Sequence, residues 1–216
     1  DGTLAAIEKG GVRYTAASPG ANVFKNQSYL IKKEATGFRW EDKLGNWQAF
    51  DDTGRLAAYG NRKGTIARMV YEPLADGKLL SYADRNGLTV LSMEYDDQGR
   101  LCGIADNNGR RVGYSYSGER LVEVTDVRGN RQVFDYDAVG RISRTLDDTG
   151  RTRNITYNTY GYVTSVLDDE GRGSYFEYDY DKLRQEYYAR ITSTTGREKE
   201  VWYDRDGKTR RVDING

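Results

Sequence analysis

Four acidic doublets, Asp51-Asp52, Asp96-Asp97, Asp147-Asp148 and Asp168-Asp169, are the residues of this chain that most suggest chemistry. Two neighbouring carboxylates can share general-acid and general-base work when their surroundings push their pKa values apart. These doublets fall at the turns of a repeat, however, and a catalytic pair has no reason to be copied that often. Nucleophilic catalysis through a histidine base is excluded, because the chain contains no histidine. Cys102 is the single cysteine, so no intrachain disulfide can form, and directly after Arg100-Leu101 it reads as a small core residue. Asp204-Arg205-Asp206-Gly207 opens like a calcium loop, but the later ligands and the closing Glu are missing. The sequence therefore points to no catalytic residue, no cofactor and no metal, and the chain is expected not to be an enzyme. What remains is aromatic binding chemistry. Ladders of tyrosine with Trp40, Trp47 and Trp202 can hold sugars or an extended peptide. A surface-exposed carbohydrate- or protein-binding (adhesion) module is accordingly the alternative reading.

Composition narrows the classes. Lys and Arg number 33, Asp and Glu also 33, and the two signs are interspersed, so no electrostatic footprint for nucleic acid exists. No apolar run approaches the roughly 18 residues of a membrane-spanning helix. Eighteen tyrosines and 25 glycines against two prolines argue for ordered strands and tight turns rather than disorder. The chain opens on Asp1-Gly2-Thr3 with no initiator Met and no visible export signal, which suggests a piece of a longer polypeptide.

The elements that position these residues are set by a repeat. Tyr95-Asp96-Asp97-Gln98-Gly99-Arg100-Leu101 returns as Tyr136-Asp137-Ala138-Val139-Gly140-Arg141-Ile142 and, more loosely, as Tyr157 to Val163. The leading tyrosines Tyr95, Tyr116, Tyr136, Tyr157 and Tyr178 are spaced 21, 20, 21 and 21 residues apart. Between them lie second turns ending in Gly109, Gly129, Gly150 and Gly171, while Gly99, Gly140 and Gly161 end the first kind. Asp followed three residues later by Gly predicts a type I turn closed by a left-handed residue, the three-residue hairpin loop with a glycine bulge. Large residues two apart before each turn, such as Met93 with Tyr95 and Phe134 with Tyr136, predict strands with one face apolar. After the turns the spacing is three, as in Leu101 and Ile104 or Val163 and Val166, which in an ideal strand puts the pair on opposite faces. Self-similarity at a fixed period with no helical periodicity predicts an all-β fold of antiparallel β-hairpin repeats. The array spans 38–216, and 1–37 forms an irregular N-terminal β segment that opens it.

These residues resemble the Rhs (YD) repeat family. Tyr95-Asp96 through Gly99-Arg100-Leu101, then Asp106 to Gly109, then Tyr116, reproduces a whole unit, and copies cover roughly residues 38–210. Members of the family include bacterial Rhs polymorphic toxins of interbacterial competition, components of insecticidal toxin complexes and animal teneurins. The resemblance implies a curved sheet strip that spirals into a shell around a C-terminal toxin domain. It implies as partners the remainder of the parent chain and the enclosed toxin, and a secreted or cell-surface location. Tyr95, Tyr116, Tyr136, Tyr157 and Tyr178 would build the wall, with Gly99, Gly109, Gly129, Gly140, Gly150, Gly161 and Gly171 turning the strip. The family's closing Asp-Pro-x-Gly-Leu element has no counterpart, since Pro stands only at Pro19 and Pro73. An open strip of this kind exposes unpaired strand edges, so an edge-to-edge homo-oligomer is a further expected partner state.

Overall fold

The computed structural model describes residues 4–74 and 77–215. Part of the Tyr71-to-Leu79 copy and the Asp1-Gly2-Thr3 opening therefore lie outside the described residues. Among the described residues all regular structure is β, as the two-residue alternation predicts. Two compact units divide at Val112/Gly113.

The first unit runs through β1 (Ala6–Lys9), β2 (Val12–Ala16), β3 (Val23–Asn26), β4 (Tyr29–Lys33), β5 (Phe38–Glu41) and β6 (Trp47–Phe50). It continues through β7 (Leu56–Asn61), β8 (Gly64–Tyr71), β9 (Leu79–Asp84), β10 (Thr89–Tyr95) and β11 (Leu101–Asp106). Each strand pairs antiparallel with the next in sequence. The first strands are regular hairpins rather than irregular segments. Tyr14, Phe24 and Ile31 are buried together there, flanked by Ile7, Ala16, Phe38 and Trp40.

The second unit begins within β12 (Arg111–Ser117) and holds β13 (Arg120–Thr125), β14 (Arg131–Tyr136), β15 (Ile142–Asp147), β16 (Thr152–Tyr157) and β17 (Val163–Leu167). It ends with β18 (Gly173–Asp181), β19 (Glu186–Ser193), β20 (Glu198–Tyr203) and β21 (Thr209–Asn215). From β12 onward, pairing is again antiparallel between sequence neighbours.

The spacing of three after the turns has a single cause. In the β10–β11 hairpin Glu94 pairs with Gly103 but Tyr95 pairs with Leu101, so Cys102 is an extra, bulged residue. The bulge turns Leu101 and Ile104 to one face, where they meet Tyr95 and Met93. The same shift precedes Phe50, Tyr71, Tyr116, Tyr136, Tyr157 and Tyr203. Tyr178 differs: it pairs with Ala189 in a β18–β19 hairpin of unbroken register.

Only nine hydrophobic side chains are buried among the described residues. Burial on that scale leaves strand pairing and contacts between neighbouring hairpins to hold most of the structure.

Candidate functional site

The repeated motif builds one local device, and every residue type in it has a task. The turn forms first. In Asp137-Ala138-Val139-Gly140-Arg141 the Gly140 amide donates to the Asp137 carbonyl at 3.0 Å, and the Asp137 amide donates to the Arg141 carbonyl at 2.8 Å. The Asp137 carboxylate accepts the amides of Val139 at 3.0 Å and Arg141 at 2.9 Å. An aspartate at this position thus replaces water on two amides that the loop would leave open. Gly140 sits at φ 92°, a left-handed conformation that a Cβ would strain. Gly99, Gly109, Gly129, Gly150, Gly161 and Gly171 likewise lie between 78° and 88°. Gly118 opens a two-residue loop, with Ser117 paired to Arg120, which explains the one step of 20.

The arginine after the glycine faces two ways. Arg141 Nε donates to the Asp137 carboxylate at 2.7 Å, while its guanidinium carbon lies 4.4 Å from the centre of the Tyr157 ring in the next hairpin. The hydroxyl of Tyr157 donates to the Ile142 carbonyl at 2.7 Å. Tyr136 repeats the arrangement, under Arg120 at 5.4 Å and bonded to the Leu121 carbonyl at 2.6 Å. Tyr71 does so with Arg55 and Leu56, and Tyr95 with Lys78 and Leu79.

These carbonyls need an external donor for a geometric reason. Between the β15 and β16 strands the ladder stops at Arg144 paired with Asn154, short of Ile142 and Tyr157. Between β13 and β14 it stops at Glu123 paired with Val133. The strands part at this end, and there the tyrosine hydroxyl donates to the carbonyl of the preceding hairpin. Each tyrosine is therefore a staple from one hairpin to the one before.

Tyr116 holds the same register, opposite Leu121. Tyr178 keeps a ring contact but no cation: Tyr162 stands where other copies have arginine, and the two rings lie 5.3 Å apart. Burial pushes the Tyr178 phenol above its usual range, with the neighbouring Tyr203 adding to the effect.

The opposite face carries charge. Glu94 pairs with Arg111 at 2.7 Å, Glu123 with Arg131, and Glu200 with Arg190 at 2.9 Å. The acidic doublets divide their work between different places. Asp51 caps its turn and binds Arg55, while Asp52 accepts the distant Gly37 amide at 2.7 Å. Asp168 caps its turn, while Asp169 accepts Asn154 at 2.9 Å. Burial works to raise the Asp51 pKa, but hydrogen bonds from Thr53 and Arg55 outweigh it and hold the carboxyl at about 2. Such groups are anchored anions, with no proton to give near neutrality.

The tryptophans do not form an open platform. Trp47 and Trp202 are buried, and Trp40 is stacked on Tyr29 at 5.6 Å. Arg39 covers Trp47, and Arg184 and Arg211 flank Trp202. Sequence reasoning missed the arginine-on-tyrosine stack and the tyrosine-to-carbonyl bond. Their signal was present in the recurrence of Arg or Lys directly before Leu or Ile, at Arg55, Lys78, Arg100, Arg120 and Arg141.

A family model described as RHS Repeat matches residues 74–111 and 95–131. The chain thus carries RHS repeats, and both matched spans run through the device described above. No curated protein matches the chain in sequence. Among solved structures, the TcdB2-TccC3 complex is similar at 13% identity and a TM-score of 0.49, over 92% of this chain and 13% of that one. The Tc holotoxin pore of Photorhabdus luminescens is similar at 13% identity and a TM-score of 0.48, over 88% of this chain and 12% of that one. The chain thus spans about 13% of the length of the solved chains it matches.

Proposed function

We propose that this chain is a non-enzymatic wall segment of an RHS-type shell that encloses a C-terminal toxin domain and helps deliver it. The observation that carries this reading is the staple. It recurs at Tyr71, Tyr95, Tyr136 and Tyr157 with one geometry, and it spends the motif's polar groups on joining hairpins. A device copied along a chain serves extension of a surface, as in other repeat architectures, and not a single reaction centre. The partners on this reading are the rest of the parent chain and the enclosed domain, in a bacterial protein that is secreted or held at the cell surface. Among the described residues strands β1 and β21 each pair along one edge, and their other edges are where further strands or a second copy would add.

Limited proteolysis of the parent protein tests the reading. The C-terminal domain should be cut at least about tenfold more slowly within the parent than as a separate domain, because an enclosed chain is cleaved only on opening. Equal cleavage rates would overturn enclosure.

A further inference from the structure

The β18–β19 hairpin uses its tyrosines differently from the stapled hairpins. It runs on past Tyr178 through Asp179, Tyr180 and Asp181 without a bulge, and Tyr180 stands directly opposite Tyr187. The two rings lie 4.7 Å apart, centre to centre, with their planes at 47°. That spacing is close to the one between two rings joined by a carbon–carbon bond. Both rings are open to solvent, Tyr180 at 37% and Tyr187 at 52%. The staple tyrosines Tyr71, Tyr95, Tyr136 and Tyr157 spend their hydroxyls on carbonyls and lie under a cation. Among the described residues neither Tyr180 nor Tyr187 has a hydroxyl partner or a cation over its ring; what each ring meets is the other.

We infer that Tyr180 and Tyr187 form a site of oxidative cross-linking, joined as dityrosine by a haem peroxidase with hydrogen peroxide as the oxidant. Each phenol gives up one electron and one proton, and the peroxide takes up two of each and leaves as two water molecules. The two phenoxyl radicals join through the ring carbons beside their hydroxyls. The hydrogen on each of those carbons then moves to the adjacent oxygen, which restores both phenols. Exposed side chains reorient fast enough to bring these carbons together. Two groups held side by side also react far faster than the same groups on separate molecules. The other close tyrosine pairs fit this chemistry less well. Tyr59 and Tyr82 are bonded hydroxyl to hydroxyl, with ring centres 6.4 Å apart. Tyr162 and Tyr178 are 5.3 Å apart, and burial of the Tyr178 phenol disfavours loss of its proton.

Treating the chain with a haem peroxidase and hydrogen peroxide tests this. Chains that run singly on a denaturing gel should gain dityrosine fluorescence. Trypsin cuts after Lys182 and Arg184, so residues 173–182 and 185–190 should stay together only when cross-linked. The joined peptide should weigh two hydrogens less than its parts, and fragmentation should place the bond at Tyr180 and Tyr187. Tyr180→Phe and Tyr187→Phe should each lower the single-chain fluorescence at least about tenfold, because phenylalanine has no phenol to oxidise and no other pair is held as close. Tyr160→Phe, at an exposed turn tip, should leave it unchanged. A bond at any other tyrosine pair, fluorescence confined to linked dimers, or no fluorescence at all would overturn the proposal. So would equal fluorescence in all three variants.

Discussion

Tyr157 donates its hydroxyl to the Ile142 carbonyl, fifteen residues earlier, at 2.7 Å, across a gap where two strands have stopped pairing. Tyr157→Phe removes that oxygen and keeps the ring under Arg141. The carbonyl is left to find water in a half-buried setting, so the expected loss is about 1 kcal/mol. Tyr160→Phe is the comparison, since Tyr160 is 84% exposed at a turn tip and should change stability by less than about 0.5 kcal/mol. Urea unfolding of both variants checks the difference, and equal midpoints would remove the staple as a stabilising device.

Asp137 caps two amides and anchors Arg141 over the next ring. Asp137→Ala should cost about 1 to 2 kcal/mol, from two lost amide acceptors together with the freed arginine. Asp148→Ala, at an exposed second position of a doublet, should be nearly neutral. Thermal melts of the pair separate a turn role for the doublets from a shared-carboxylate role, in which both substitutions would behave alike.

Gly150 and Gly173 distinguish strain from collision. A Cβ on Gly150 would meet nothing within 4 Å, so Gly150→Ala should cost about 1 kcal/mol through its φ of 81° alone. Gly150→Asn should cost less, because Asn tolerates the left-handed region. At Gly173 a methyl would run into the Val166 carbonyl oxygen, and Gly173→Ala should lower the midpoint more than Gly150→Ala. Denaturation midpoints in that order, Asn above Ala at 150 and Ala at 173 lowest, are the expected outcome.

The hairpins and their loops were legible in the sequence because Asp-x-x-Gly encodes a local event, completed within five residues. The apolar face of each strand before a turn was legible for the same reason, as in Met93 and Tyr95. The bulge at Cys102 was visible only as an unexplained spacing of three between Leu101 and Ile104. The staple was not legible, since the pairing of Tyr157 with Ile142 depends on where the ladder between β15 and β16 ends. That endpoint is a property of strand twist and register, which no single segment carries.

Acid should loosen the loops first. Asp42, Asp51, Asp96, Asp106, Asp126, Asp137, Asp147, Asp168 and Asp204 are all held below the ordinary aspartate range. For Asp96 the leading cause is the Arg100 side chain, and for Asp137 it is the Arg141 amide. A carboxyl whose folded pKa is depressed lends stability that is complete above the unfolded value of about 3.9 and lost as pH falls through the folded value. With Asp51 held at about 2, stability should be flat from pH 7 to about 5 and fall between about pH 4 and 2. Urea midpoints against pH check this, and a decline already beginning at pH 6 would contradict it, as the chain has no histidine to titrate there.

The bulged residue at 102, 122, 143 and 164 bears on how such a chain can change its length. Losing one residue from a strand reverses every side chain beyond it, whereas losing one from a loop does not, as the two-residue turn at Gly118 demonstrates with its bulge retained. A gene segment copied from any point in one unit to the matching point in the next brings one tyrosine, one capping aspartate, one bulge and one carbonyl acceptor. The insertion is therefore in phase on both faces wherever the breakpoints fall. Tandem copying in whole units is the permissive route to a longer protein, and single-residue drift is confined to the loops.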